Sequence, residues 1–323
     1  MNRQNLSASI ANGGVGQQKL TVKMNYGTMN LLIGTGHVLA WAIMISFLHS
    51  PSSILWKGVV LILFCLMMQG VFSVMHECFH DQGHPTSWAN WTLGVIEGTI
   101  FGTAYTLFRV NHEAHHVRNR SRAEIAEYIF PDESPTRKIL LYYFAILGGI
   151  WLGAFVASIL LPFIPYRYRL GLNRPAKSMN GYFLAFAEFS SRDWMRLRVE
   201  AAVGLLVWVS AILLLDWNWT VLSVAYAAFA FTWSSLQWIY HLRTPLDRVE
   251  GAYNLRAPLL VRWLFLNFNY NLTHHRHPAA PWQDAHALTD LKETQPLWYR
   301  YLLIFRCPEP LPADLSSIRK TYF

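Results

Sequence analysis

The sequence has few charged residues and few cysteines. Only 14% of its 323 residues are Asp, Glu, Lys or Arg, against about 25% in an ordinary soluble domain. This scarcity of charge, together with 53% hydrophobic residues, excludes a disordered chain and a coiled coil and argues against a soluble globular enzyme. Cys65, Cys78 and Cys307 are too few for a disulfide scaffold, and we expect all three to be reduced. A polytopic membrane protein is the class that remains.

The net charge of +8 is not concentrated in one basic stripe. A nucleic-acid surface needs Lys and Arg clustered on an exposed face, so no nucleic-acid partner is predicted. Anionic membrane lipids or an acidic protein partner account for the charge better. The start of the chain also lacks the apolar core of a signal peptide. We expect residues 1–30 to form a polar N-terminal tail that faces the cytosol.

Long apolar runs are what the sequence has in place of charge. Four of them are long enough, or nearly so, to cross a hydrocarbon core of about 30 Å as helices. These runs are Leu31–Leu48, Ile54–Met75, Val199–Leu215 and Trp219–Tyr240. A short polar turn joins the first two runs and another joins the last two, so each pair is predicted to be a helical hairpin. Trp88–Phe108 is predicted to be an interfacial amphipathic helix.

A fifth apolar run, Ile139–Pro165, contains Gly148 and Gly149 in its middle. Apart from Lys57, every Lys and Arg lies in the first 30 residues, in 76–138, in 165–198 or after 242. Positive residues favour the cytoplasmic side, so a single crossing here would place the third of these groups on the wrong side. We therefore predict a membrane-embedded hairpin broken at the glycine pair. The alternative is one ordinary span with inverted topology downstream.

Histidines carry the chemistry of the sequence, because nine of the 13 lie in three short clusters. The clusters contain His76, His80 and His84, then His112, His115 and His116, then His274, His275 and His277. Helical residues three and four apart share one face, with Cβ atoms about 5–6 Å apart, so such imidazoles can bind one or two metal ions. Imidazole suits Fe, Zn and Cu. Burying so many imidazoles in a membrane protein without a ligand would be costly.

Not every histidine is predicted to be a metal ligand. Four are not expected to bind metal, because they are isolated or lie in loops beside proline: His37, His49, His84 and His277. His241 ends the last apolar run at the same predicted side as the clusters. We therefore predict it to be a metal ligand, with Gln237 one turn earlier on the same face.

The three boxes, H-x3-H, H-x2-H-H and a terminal x-x-H-H, resemble those of the membrane fatty acid desaturase and hydroxylase superfamily. This group includes acyl desaturases, alkane hydroxylases and carotenoid ketolases, and the resemblance runs from about Gly70 to Trp282. It implies two non-haem Fe ions and O2 as a co-substrate. By position in the boxes, the implied ligands are His76, His80, His112, His115, His116, His274 and His275. His241 looks like the extra histidine that some members supply from the last span.

The third box departs from the family pattern at its first position. It usually opens with His or Gln, whereas this sequence has Asn271. Asn271 can bind metal directly, bind it through water, or leave one position open, and Gln237 resembles an amide that reaches the site through water in some members. Glu77 and Glu113 are either partners of imidazole N–H groups or solvated carboxylates. No cytochrome-b5-type HPGG motif occurs, so a separate electron donor such as ferredoxin or rubredoxin is implied.

The predicted fold is an all-α polytopic membrane protein with about four spanning helices, a membrane-embedded hairpin, interfacial helices and a cytosolic metal-binding cap. Residues 31–323 are predicted to form a single desaturase-like domain. The resemblance implies di-iron oxidation of an unactivated C–H bond in a long-chain fatty acid or acyl lipid, with desaturation favoured. Hydroxylation or ketolation of an alkyl or carotenoid chain, and decarboxylation to a terminal alkene, are the alternatives. A metal transporter would instead distribute histidines through the depth of the membrane.

Overall fold

The computed structural model describes residues 26–172, 179 and 181–312, and most of these residues are helical. The α-helices are α1 (Tyr26–His49), α2 (Ile54–Phe79), α3 (Ser87–Phe101), α4 (Tyr105–Arg118), α5 (Pro135–Phe144), α6 (Ile150–Leu160), α7 (Arg169–Leu172), α8 (Gly181–Leu184), α9 (Ser191–Leu215), α10 (Trp219–Trp238), α11 (Leu259–Leu264), α12 (Asn271–Arg276), α13 (Trp282–Leu288) and α14 (Leu297–Leu303). Short 3-10 turns lie at Leu161–Phe163, Tyr166–Tyr168, Ala185–Glu188 and Leu291–Glu293. The predicted all-α class is confirmed.

Sheet is confined, within the described residues, to two parallel pairs of two-residue strands. β1 (Tyr128–Ile129) pairs with β4 (Glu309–Pro310), and β2 (Leu255–Arg256) pairs with β3 (Gln295–Pro296). Both pairs fasten the C-terminal segment onto parts of the chain outside the spanning helices, one before Pro135–Phe163 and one after α10. Of the predicted N-terminal tail, residues 1–25 lie outside the described residues, and residues 26–30 already belong to α1.

Five segments are long and apolar enough to cross a membrane: α1, α2, α9, α10 and the segment Pro135–Phe163. Four of them correspond to the predicted spans. α9 begins at Ser191, well before the predicted Val199. The reason is a capping box, in which the Ser190 hydroxyl accepts from the Asp193 N–H and the Asp193 carboxylate accepts from the Ser190 N–H. This motif satisfies N–H groups that a helix start leaves without partners.

The four spanning helices form two hairpins whose turns lie at the same end of the bundle. The Nε2 of His49, at the end of α1, lies 3.2 Å from the carbonyl of Asn218, which precedes α10. Its Nδ1 lies 2.8 Å from the carbonyl of Ile45, so His49 is the satisfied polar group that the sequence predicts. The C-terminal ends of α2 and α10 therefore lie together at the opposite end.

The segment Pro135–Phe163 bends at the predicted glycine pair. Ala145–Gly149 is a π-helical turn, and Gly148 has φ +123°, a conformation that glycine adopts at little cost. A Cβ at Gly148 would lie 3.4 Å from the Ala230 Cβ. The bend therefore packs against the middle of α10.

The two arms of this bent segment return to one side of the bundle. Before the bend, the Tyr142 ring lies 6.3 Å from the Trp238 ring at the end of α10. After the bend, the carbonyl of Ile164 accepts from Trp194 Nε1 in the first turn of α9. Because α9 and α10 are joined by a tight turn, the start of α9 and the end of α10 lie on the same side. This path is the one that the hairpin prediction requires.

The predicted interfacial helix Trp88–Phe108 is wrong in its extent. The chain breaks at Gly102, whose φ of +86° ends α3 with a left-handed cap, and α4 begins at Tyr105. One face of α3 is buried inside the bundle, where the Glu97 carboxylate lies 3.1 Å from His37 Nδ1 of α1. Gly34 makes room for this pair, since a Cβ there would lie 2.9 Å from Glu97 Oε1.

Candidate metal centre

Eight histidines converge at the end of the bundle opposite the two tight turns, in two groups. The five-histidine group comprises His76, His80, His112, His116 and His274, and the three-histidine group comprises His115, His241 and His275. Within each group the nitrogen atoms available for a metal lie within 4.8 Å of one another. The structure thus brings together all eight histidines predicted to be ligands.

Neighbouring histidines in the chain belong to different groups. His115 and His116 follow each other on α4, and successive helical side chains point about 100° apart, so one faces each group. His274 and His275 diverge in the same way on α12. The groups adjoin, because the rings of His116 and His275 are only 4.6 Å apart between centroids.

The nitrogens of the five-histidine group are aimed at one another. Nε2 of His112 lies 2.8 Å from Nε2 of His80 and 2.9 Å from Nε2 of His116. Nε2 of His116 is in turn 3.0 Å from Nε2 of His274. Two neutral imidazoles can share one hydrogen bond, but a chain of converging nitrogens cannot all be satisfied this way. Such an arrangement suits a cation bound among the lone pairs.

Two further nitrogens, one in each histidine group, support a metal at both groups. Nε2 of His76 and Nε2 of His275 are buried and have no hydrogen-bond partner within the described part of the chain. A buried polar atom without a partner carries a desolvation penalty of about 1–3 kcal/mol. A coordinated metal ion removes that penalty, so the residues present fit a metal at both groups.

Burial keeps six of these imidazoles neutral. It lowers the pKa of five of them well below the ordinary value of histidine: His112, His116, His241, His274 and His275. For His80, burial together with the charges of Arg109 and His115 lowers the pKa to about 3. A neutral imidazole has the free lone pair that a metal requires.

Two acceptors orient histidines of the three-histidine group. Nδ1 of His241 lies 2.9 Å from the carbonyl of Gly251, and Nδ1 of His115 lies 3.4 Å from Glu124 Oε2. An Nδ1–H donated to such an oxygen leaves Nε2 as the ligand atom. Neither acceptor was predicted from the sequence, because no sequence motif marks a backbone carbonyl or a loop carboxylate.

The two carboxylates predicted as possible imidazole partners accept hydrogen bonds from other groups. Glu77 Oε2 accepts the backbone N–H of Trp282 at 3.0 Å. Glu113 accepts from Arg109 Nε at 2.9 Å. Adjacency to a histidine in the sequence is a poor guide here, because neighbouring side chains on a helix point in different directions.

The remaining predicted residues lie around the groups or outside them. Asn271 is 4% exposed in the first turn of α12, and its Oδ1 has no hydrogen-bond partner among the described residues. Gln237 is half-buried in the last turn of α10. His84 accepts from the Thr86 N–H and belongs to neither group, as predicted. His277 is exposed and also belongs to neither group.

Fold and site together define an α-helical membrane protein with two adjoining histidine groups at one end of its spanning helices. The family model of fatty acid desaturases matches residues 54–306, which include all eight histidines. The chain therefore belongs to the fatty acid desaturase family, within the membrane desaturase and hydroxylase superfamily. A comparison with curated proteins gives no significant match.

Proposed function

We propose that this protein is an O2-dependent di-iron oxidoreductase that desaturates a long-chain fatty acid or acyl lipid. The observation that carries the proposal is the pair of adjoining histidine groups at the ends of the spanning helices. The five-histidine group would hold one iron, and the three-histidine group would hold the other. When iron is bound, such a centre supplies the activation of O2 against an unactivated C–H bond.

The protein's own residues keep water from the membrane side of the centre. The His76 ring packs against Phe268 at 4.9 Å and Phe72 at 6.2 Å between ring centroids. Phe72 in turn packs against Trp233 at 5.0 Å. Phe72 and Trp233 are buried and Phe268 is partly buried, so this apolar layer excludes solvent that would compete for the reactive centre.

The placement of the site supports an acyl substrate in the membrane and a soluble electron donor. Both histidine groups lie at the end of the bundle where α2 and α10 finish, and the distribution of Lys and Arg assigns that end to the cytosol. An acyl chain in the bilayer with its head group at the surface can reach this depth. A soluble electron donor, such as ferredoxin or rubredoxin, would reach the site from the cytosolic side.

Protein purified after expression with ample iron is expected to contain two irons per chain. The reason is that eight converging imidazoles are divided between two groups. Elemental analysis by mass spectrometry measures the metals, and lipid analysis in a host lacking the protein identifies the product. One zinc without iron would contradict the di-iron centre, and hydroxylated lipids without new double bonds would contradict desaturation.

Asn271 gives a second test of the centre. Asn271→Ala is expected to lower activity by about 10- to 100-fold, because it removes the buried oxygen that lacks a hydrogen-bond partner. If that oxygen provides a weak, exchangeable ligand, Asn271→His should keep two irons but slow turnover or change the product. Iron content and product profile are compared in both variants. Unchanged iron, rate and product in both would show that Asn271 has no role at the centre.

A further inference from the structure

His241 is held differently from the other seven histidines. Those seven lie in α2, α4 or α12, or directly at the end of α2, so a helix backbone fixes each one. His241 lies three residues beyond Trp238, the last residue of α10. Its side chain is oriented by the carbonyl of Gly251, 2.9 Å from Nδ1. The position of that carbonyl therefore decides where the His241 ring points.

Asn119 fixes this carbonyl. Its side-chain Nδ2 donates to the carbonyl of Gly251 at 3.2 Å and to that of Arg248 at 3.0 Å. Asn119 is 1% exposed, so water cannot replace these bonds. The contact is tight, because a Cβ at Gly251 would lie 3.1 Å from Asn119 Nδ2. The segment 247–251, which we name the positioning loop, thus has one arrangement against Asn119.

The positioning loop is connected to the other two members of the three-histidine group. The backbone N–H of Asn119 donates to the carbonyl of His115 at 2.6 Å. Glu250, in the loop, forms an ion pair with Arg276 at 2.6 Å, and Arg276 directly follows His275. This pair is largely exposed, so it contributes about 0–1 kcal/mol. The buried amide of Asn119 is the stronger of the two connections.

We infer that the positioning loop assembles the three-histidine group and that Asn119 is the positioning residue that orients His241. The inference rests on the proposed iron binding at this group. Loss of the Asn119 donor is expected to weaken metal binding there by about 10- to 100-fold. The five-histidine group has no member in contact with the loop through Gly251, so it should keep its iron.

The experiment compares Asn119→Asp, His241→Ala and the double variant as full-length, iron-loaded protein. Asp has nearly the shape of Asn but places an acceptor where the carbonyls of Arg248 and Gly251 need a donor. Asn119→Asp and His241→Ala are each expected to retain about one iron per chain, and the double variant should retain no less. The ⁵⁷Fe Mössbauer spectrum should lose the signal of one iron and keep that of the other.

Asn30→Asp is the matched control. Asn30 is also buried, and its Nδ2 also donates to two carbonyls, those of Gln82 and Gly83. It is remote from the positioning loop in sequence and contacts none of its residues, so this variant should lose stability but keep two irons. Glu250→Gln should also keep two irons, because it removes only the exposed ion pair.

Two irons and an unchanged spectrum in Asn119→Asp would overturn the inference. So would a double variant that loses both irons, since the two changes would then act independently. If Asn119→Asp fails to accumulate, the same count on Asn119→Ala decides, because that variant removes the donor without adding charge. Fewer than two irons in the unmodified protein would instead contradict the proposed function.

Discussion

Replacing His116 by alanine is expected to reduce turnover to below about 1% of the unmodified protein, at the upper end of effects seen at metal sites. His116 lies at the junction of the two groups. Its Nε2 is 3.0 Å from Nε2 of His274 in one group, and its ring is 4.6 Å from that of His275 in the other. Removing it takes a nitrogen from the five-histidine group and opens a gap beside the three-histidine group.

The fold should survive this change, because the spanning helices are held by apolar packing that does not include His116. Turnover is measured by product mass spectrometry, and folding by size-exclusion chromatography in detergent. His84→Ala is the control and should keep most of the activity, since His84 belongs to neither group. Equal loss in the two variants would show that the assignment of residues to the centre is wrong.

Replacing His37 by alanine is expected to destabilise the protein by about 1–3 kcal/mol, the usual effect of leaving a buried polar group without its hydrogen-bond partner. Glu97 is 0% exposed, and its two carboxylate oxygens lie 3.1 and 3.3 Å from His37 Nδ1. Without the imidazole this carboxyl group is left in an apolar interior between α1 and α3. Thermal unfolding in detergent measures the loss.

The double change His37→Ala with Glu97→Gln should recover part of this stability, because a neutral amide replaces the isolated carboxyl group. His49→Ala is the matched control on the same helix. Its ring lies at the hairpin turn, partly exposed, and bonds to carbonyls that water can also reach, so a small effect is expected. A His37→Ala variant with an unchanged melting temperature would contradict the assigned role of the pair.

The sequence predicts those parts of the centre that depend on local spacing. His112 and His116 are one helical turn apart, so their shared group follows from the geometry of a helix. The return path of Pro135–Phe163 was also predicted from the sequence, because a single crossing would place the Lys and Arg of 165–198 on the disfavoured side. The first prediction needs only the spacing within one helix, and the second needs only the positions of the charged residues.

The parts that sequence reasoning missed depend on contacts between distant segments. Asn119 bonds to Gly251 across more than a hundred residues, and Glu124 approaches His115 from a loop. Neither residue type is unusual in a loop, so no pattern marks them. The break at Gly102 was missed for another reason: the apolar character continues through it, and a left-handed Gly102 followed by an extended Ala104 separates α3 from α4.

The divergence of His274 and His275 into separate groups has a consequence for the biosynthesis of the protein. A nascent chain that ends before residue 274 has four members of one histidine group and two of the other. Both groups are therefore completed by the same stretch of translation, within the last sixth of the chain. Under the proposed iron binding, neither full set of ligands exists while the other is still being synthesised, so the order of synthesis does not favour a half-loaded protein.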